Sequence, residues 1–181
     1  MELLRARGYR FRTQPSNDPE EPVSGIGPRD LALHHARNKG AAVAARNPHG
    51  IVLAADTLVA LGPEPFGKPA DLHEAAAMLR RLSGQTHEVH TAVWIEAPEG
   101  SVGFVETTRV RFFELTDAAI ADYLARINPL DKAGAYAAQE CAERIIAAIE
   151  GSFTNVVGLP MERVETTLAE LGIRPENPGT A

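Results

Sequence analysis

The chain has 181 residues, 44% of them hydrophobic, which suits one domain with a sizeable core and makes a second domain unnecessary. Its net charge of −6 excludes a general attraction for nucleic-acid backbones or anionic membranes, so any bound phosphate needs a local cluster of cations. The lone cysteine, Cys141, excludes an intrachain disulfide and a cysteine-based zinc site. The longest apolar run is about half of the ~20 residues that a membrane helix needs, and the start lacks the apolar region of a signal peptide. We therefore expect a cytoplasmic protein without nucleic-acid or membrane partners.

The first part of the chain predicts a helix end followed by a long loop. Residues 1–8 resemble the last turns of a helix that ends at Gly8, with no capping residue ahead of it. Residues 9–13 alternate aromatic and basic side chains and are compatible with a short strand. Residues 14–28 are polar and rich in proline and glycine, so we expect a loop there. Its acidic residues are most simply solvated surface.

A helix is predicted from Pro28 to about residue 46, since proline suits the first helical position. Ala32, Ala36 and Val43 form an apolar stripe, and Lys39 falls between them at the same spacing. Two interpretations stay open. The lysine either extends its ammonium group to water along the helix surface, or projects into a polar site beneath the helix.

The central stretch is an apolar run over residues 51–61 that is interrupted by Asp56. Such a run predicts a strand buried on both faces. A buried, ionised carboxylate without partners costs several kcal/mol, so Asp56 must be neutral, pair with a cation or hold a metal. The turn at residues 66–69 carries Lys68, and a chain reversal there would return this lysine towards Asp56.

The following elements alternate between helix and strand. Asp71 and Glu74 predict a capping box at the start of a helix that ends at residues 83–84. Two strands, at residues 87–95 and 102–113, predict an antiparallel hairpin. The helix that begins with the capping box has an apolar stripe of Leu72, Ala75, Ala76 and Leu79. The remaining segments are predicted to be a helix over residues 116–127, a strand or short helix over 145–149, a final helix over about 161–171, and a loose tail over 175–181.

Seven short runs in this order and spacing strongly resemble the Maf family of nucleoside triphosphate pyrophosphatases. They are Ala54-Ala55-Asp56-Thr57, Gly67-Lys68-Pro69, residues 78–84, His87-Glu88-Val89, Thr91-Ala92-Val93, residues 131–136 and residues 155–160. Each run is weak evidence alone, but together they cover nearly the whole chain. The resemblance implies a single Maf-like domain over residues 1–181.

The resemblance also implies a fold and a reaction. The fold would be an α/β fold like that of inosine triphosphate pyrophosphatases, with a long mixed sheet, flanking helices and a cleft between two lobes. Members hydrolyse a nucleoside triphosphate to the monophosphate and pyrophosphate with a divalent cation, usually Mg²⁺ or Mn²⁺, and can remove non-standard nucleotides. A carboxylate that activates water or holds metal, and cations that neutralise phosphate charge, suit this chemistry. A homodimer stays open.

Several residues match the family's site. Asp56 matches the catalytic carboxylate, which accepts a proton, and Lys39 and Lys68 match lysines of the same site. Glu20 falls at the spacing of a loop glutamate and is, with Asp56, a candidate metal ligand. Lys132 is a further candidate on the phosphate side.

Two positions bear on the base. Members that act on dTTP and UTP carry a threonine after the catalytic aspartate and a glutamine in the segment that follows the run Ala-Gly-Ala-Tyr, and Thr57 and Gln139 match them. A glutamine amide offers a donor and an acceptor, which suits a pyrimidine edge. Ala137, Ala138 and Glu140 differ from the glycine and isoleucine that are common at these places.

The beginning of the chain departs from the family pattern. Members open with a strand and a Ser-x-Ser-Pro-Arg-Arg loop at the phosphate site, and then a helix that resembles Glu2-Leu3-Leu4-Arg5. Two accounts compete: the sequence was recorded from an internal start, or the protein is a shortened relative with lost or altered activity. The second account favours another function, a nucleotide-binding or interaction protein without turnover, linked to septum formation.

Overall fold

In the computed structural model, residues 2–17, 19, 23 and 25–176 are described. They form six α-helices, five strands and two short 3₁₀ turns, at residues 133–135 and 142–144. In chain order the helices and strands are α1 (Glu2–Ala6), α2 (Pro28–Ala44), β1 (Val52–Leu61), β2 (Glu64–Phe66), α3 (Leu72–Leu82), β3 (Thr86–Ala97), β4 (Gly100–Phe112), α4 (Asp117–Leu124), β5 (Ile146–Glu150), α5 (Phe153–Val157) and α6 (Met161–Glu170).

One five-stranded sheet organises these elements in the order β2-β1-β3-β4-β5. The predicted α/β architecture with flanking helices is confirmed, and so is the hairpin of β3 and β4. Every described strand pairing is antiparallel, whereas the resemblance implied a mixed sheet. The reason lies in the connections. Two-residue turns reverse the chain between β1 and β2 and between β3 and β4, and α3 returns it so that β3 runs against β1.

Helix α2 covers one face of the sheet. Ala32 and Ala36 pack there against Ala92 and Val105, and all four side chains are buried. Gly40 allows the close approach, because a Cβ atom at this position would lie 2.7 Å from Cδ1 of Trp94. The stripe predicted for this helix therefore faces the sheet, and it carries Lys39 towards β1.

The opposite face holds two larger apolar clusters. One lies beneath α3 and α4 and is built around Leu79, Phe112 and Tyr123. The other lies beneath α6 and includes Val93 and Met161. Together the clusters fix β1 and β3 between helices on both faces, which keeps the middle of β1 in a defined position.

The predicted N-cap, Asp71, is confirmed at the start of α3, but the returning bond of the capping box goes to the residue before it. The Asp71 carboxylate accepts a hydrogen bond from the Glu74 amide at 2.8 Å, and the Glu74 carboxylate accepts one from the Ala70 amide at 2.7 Å. The predicted stripe was wrong at Leu72, which is 57% exposed. As the first residue of the helix it lies outside the packed turns, and the buried residues are Ala75, Leu79 and Leu82.

Other differences concern segment ends. Residues 9–13 form no strand. Tyr9 instead packs into the cluster beneath α6, and residues 9–13 line a cavity beside β1 without pairing with it. Residues 145–149 are resolved as a strand, β5, one residue later than predicted, and α4 ends at Leu124. The Glu176 amide donates a hydrogen bond to the Gly8 carbonyl at 3.1 Å, so the predicted tail contacts the rest of the structure at Glu176. Residues 177–181 lie outside the described part.

No helix among the described residues is long and apolar enough to cross a membrane.

Strand β1 is only partly buried, where the sequence predicted burial on both faces. Its residues Val52 to Ala60 pair with β3, but β2 covers the other edge only from Val59 to Leu61. Within the described part, the edge from Val52 to Leu58 borders two cavities and no strand. Asp56 and Thr57 lie on this open edge.

Candidate functional site

A small cavity of about 220 Å³ lies at the open edge of β1. Its wall combines one carboxylate, two lysines and a hydroxyl group with small residues. The lining residues are Lys39, Ala55, Asp56, Thr57, Leu58, Gly67, Lys68 and Ala133. Four of the residues that the sequence analysis singled out, from three separate segments, therefore share one wall.

The centre of this wall is an ion pair between α2 and β1. Nζ of Lys39 lies 2.5 Å from Oδ1 of Asp56. The carboxylate side chain is 6% exposed and the lysine side chain 19%, so the pair is largely removed from water. This contact agrees with the interpretation that the lysine projects beneath its helix, and it gives Asp56 the cation that a buried carboxylate requires.

His35 is a neighbour of Asp56 that the sequence analysis did not identify. Its Nδ1 lies 3.4 Å from Oδ2 of Asp56, and the residue is 5% exposed. His35 precedes Lys39 by four residues, so both side chains lie on one face of α2. That spacing was the available signal, because any residue one helical turn before Lys39 had to face the same carboxylate.

The two oxygens of the Asp56 carboxylate have different surroundings. Oδ1 accepts from Lys39, while Oδ2 is buried and accepts no hydrogen bond from any described residue. Mg²⁺ is usually held by one or two carboxylates together with water and substrate phosphates. A single carboxylate, Asp56, that lines a cavity fits that pattern, although the described residues include no group of three metal-binding side chains.

The turn that carries Lys68 is fixed by a backbone contact with the segment after α4. The Gly134 amide donates to the Gly67 carbonyl at 3.0 Å. Gly134 has φ of 69° and packs on Val59, where a Cβ atom would come within 3.1 Å. Both features favour glycine at this position, and they bring residues 67–68 and Ala133 to the same cavity.

Thr57 follows Asp56 and faces the other side of the sheet. Its Oγ1 lies 2.9 Å from Oγ1 of Thr91 in β3, and Oγ1 of Thr91 donates to the Asn155 carbonyl at 2.8 Å. The Asn155 side chain donates in turn to the Val89 carbonyl and to the Thr108 hydroxyl, each at 3.0 Å. Thr57 is therefore the cavity end of a polar network that crosses the sheet to α5.

The remaining candidates lie elsewhere. Lys132 contacts the carboxylates of Asp131 at 3.1 Å and Glu140 at 3.6 Å and does not line the small cavity, although its neighbour Ala133 does. Gln139 is exposed and lines neither cavity. Glu20 lies outside the described residues. The structure thus brings together Lys39, Asp56, Thr57 and Lys68, and it leaves the roles of the other three as predictions.

A larger cavity of about 750 Å³ adjoins the small one along β1. The two share Lys39 and Ala55. Residues 9–14 and 16 form one side, with Arg10 and Arg12 among them, and Gly158 and Leu159 form another. A volume of this size is typical of small-molecule sites.

Comparison with known proteins identifies the family. The family described as Maf-like protein matches residues 1–171. A dTTP/UTP pyrophosphatase of Koribacter versatilis (strain Ellin345) is 44% identical over 172 residues, which are 95% of this chain and 89% of that protein. The dTTP/UTP pyrophosphatases of Akkermansia muciniphila and Geobacter sulfurreducens are each 43% identical, over 96% and 95% of this chain and 92% and 91% of their own lengths. The chain belongs to the Maf family.

Proposed function

We propose that this protein hydrolyses dTTP and UTP to the nucleoside monophosphate and pyrophosphate. The observation that carries the proposal is the buried pair of Asp56 and Lys39 in the small cavity, with Lys68 on the same wall. A carboxylate and two lysines in one cavity offer a proton acceptor and positive charge for a polyphosphate. The relatives of 42–44% identity that carry this name support the substrate class.

In this proposal the two lysines bind phosphate oxygens and Asp56 accepts a proton from the attacking water. The water oxygen forms a bond to phosphorus, and the anhydride bond between the α- and β-phosphates breaks, so that pyrophosphate leaves. In the free protein the Lys39 ammonium group covers Oδ1 of Asp56. A bound polyphosphate would compete for that ammonium group and leave the carboxylate free to act as a base.

We propose further that a divalent cation, Mg²⁺ or Mn²⁺, takes part. Asp56 is the described carboxylate in the cavity that could hold it, and Glu20 is a second candidate ligand from the sequence. Such an ion would neutralise negative charge on the phosphates. The chain itself would then hold the Asp56 carboxylate in position, through Lys39 and strand β1, and would supply the lysines that bind phosphate.

A second candidate function is binding of a nucleotide without turnover, including a role as an interaction protein in septum formation. The exposed position of Gln139 is the observation that weakens base recognition through that residue. The buried Asp56 carboxylate favours the enzyme, because binding of a nucleotide alone requires the lysines but no carboxylate beside them.

The decisive experiment is an assay of pyrophosphate release with Mn²⁺ or Mg²⁺ from a panel of triphosphates. We expect turnover of dTTP and UTP well above that of dATP and GTP. Comparable rates on purines and pyrimidines would contradict the base preference but keep the reaction. If the protein binds nucleotides but releases pyrophosphate from no member of the panel, the result would favour the second candidate function, nucleotide binding without turnover.

A further inference from the structure

The hydrogen bonds around Thr91 have a direction that the distances define. Oγ1 of Thr91 lies 2.8 Å from the Asn155 carbonyl oxygen, and a carbonyl oxygen can only accept. Two oxygens at this distance need a hydrogen between them, so the single hydrogen of the Thr91 hydroxyl is used there. The contact of 2.9 Å between Thr91 and Thr57 must then use the hydrogen of Thr57.

The hydrogen bond from the Thr91 hydroxyl to the Asn155 carbonyl is held in place by its surroundings. Thr91 and Asn155 are both completely buried, so water cannot offer the Thr91 hydroxyl another partner. The Asn155 carbonyl also accepts from the Gly158 amide at 2.9 Å, and the Asn155 amide group is held by Val89 and Thr108. The carbonyl therefore keeps its position, and with it the orientation of both hydroxyl groups.

We propose that Thr91 is a positioning residue that fixes the Thr57 hydroxyl as a hydrogen-bond acceptor towards the cavity. With its hydrogen committed to Thr91, Thr57 offers only lone pairs to a ligand. It can meet an N–H group or a metal cation, but it cannot donate to a phosphate oxygen or to a base carbonyl. This inference rests on the proposed function for the identity of the ligand.

Two groups of a bound pyrimidine nucleotide have the required chemistry. One is the N3–H of uracil or thymine, whereas cytosine presents a lone pair at the same ring position. The other is a divalent cation bound to the phosphates, which would have to lie on the Thr57 side of the sheet and not beside the Asp56 carboxylate. Either group would bind to the lone pairs of the Thr57 hydroxyl oxygen. An experiment can show which of the two does so.

The first test measures coupling between the two threonines by calorimetry, with the non-cleavable uridine 5′-(α,β-imido)triphosphate as ligand. We expect Thr91→Val to weaken binding by about threefold to tenfold, the usual effect of one hydrogen bond, and Thr91→Ser to retain wild-type affinity. In a Thr57→Val background, Thr91→Val should cause no further loss, because it acts through Thr57. Equal effects of Thr91→Val in both backgrounds, or a Thr91→Ser variant as weak as Thr91→Val, would overturn the proposal.

The second test identifies the partner by comparing UTP with 3-methyluridine triphosphate, which lacks the N3 hydrogen. If the partner is N3–H, the loss caused by Thr57→Val should disappear on the methylated nucleotide. If the partner is the cation, the loss should be equal on both nucleotides, and Thr57→Val should raise the Mn²⁺ concentration needed for half-maximal binding. An equal loss with an unchanged Mn²⁺ requirement would overturn the assignment.

The two proposals fail separately. Binding of the imido analogue needs no turnover, so a wild-type protein that binds it but releases no pyrophosphate from UTP would contradict the proposed function alone. A wild-type protein with full turnover and additive threonine variants would contradict the positioning role alone. Melting temperatures of all variants identify any loss that comes from unfolding, since Thr91→Val also removes a donor from the buried Asn155 carbonyl.

Discussion

Nζ of Lys39 and Oδ1 of Asp56 meet at 2.5 Å between helix α2 and strand β1, and the lysine is the more exposed partner. This asymmetry matters for stability. Removing the cation leaves a carboxylate that is 6% exposed without its partner, whereas removing the carboxylate leaves an ammonium group on a flexible side chain that can reach water. The pair should therefore respond differently to the loss of either member.

We expect Lys39→Met to lower the free energy of unfolding by about 3 kcal/mol or more, because it leaves a buried charge uncompensated. Urea unfolding at pH 7 measures this directly. The matched control is Lys132→Met, whose carboxylate partners Asp131 and Glu140 are both exposed, so it should cost less than about 1 kcal/mol. Equal losses for the two variants would contradict a buried, stabilising role of Lys39.

Asp56→Asn should remove most turnover while nucleotide binding survives. A general base usually contributes about 10²-fold or more to the rate, and an amide cannot take up the proton. Steady-state kinetics of pyrophosphate release from UTP would test it, with Asp117→Asn as the control, an exposed carboxylate that lines neither cavity. Unchanged kcat in Asp56→Asn would remove Asp56 from the catalytic role.

The position of Asp56 was predictable because the signal is local. A carboxylate inside an apolar run requires a cation, and Lys39 and Lys68 were the nearest lysines in the sequence. The contact from Thr91 to Asn155 was not predictable, because it joins residues that are 64 positions apart and depends on how α5 packs across the sheet. The antiparallel pairing of β1 and β3 was also missed, since periodicity indicates a strand but not the direction of its neighbour.

Gly40→Ala should destabilise the protein although alanine is the better helix former. A Cβ atom at this position would lie 2.7 Å from Cδ1 of Trp94, and overpacking of this kind typically costs about 1–3 kcal/mol, against a gain of about 1 kcal/mol in helix propensity. Thermal unfolding should therefore give a lower Tm. The control is Ala41→Gly at the exposed neighbouring position of the same helix, which measures the effect of helix propensity alone. A higher Tm for Gly40→Ala would contradict the close packing of α2 on β3.

The last prediction concerns acid stability and His87. This histidine is completely enclosed in β3, with Nε2 2.9 Å from the Tyr136 hydroxyl and the ring edge-on to Phe112. Burial lowers its pKa from 6.5 to about 4, since a charged imidazole loses its hydration there. The unfolded chain takes up a proton near pH 6.5, but the folded protein does not until about pH 4.

Stability should therefore fall as the pH decreases from 6.5 to 4, by up to about 3 kcal/mol from this group. Above pH 6.5 both states hold neutral imidazole, so the contribution no longer depends on pH. Urea unfolding at half-unit steps between pH 4 and 7.5 measures the slope. Burial also lowers the pKa of His90, so the comparison that isolates His87 is wild type against His87→Gln, which should lose part of the slope. His73→Gln, at an exposed position on α3, should keep the full slope, and a His87→Gln variant with the wild-type slope would show that this histidine is not held neutral by the fold.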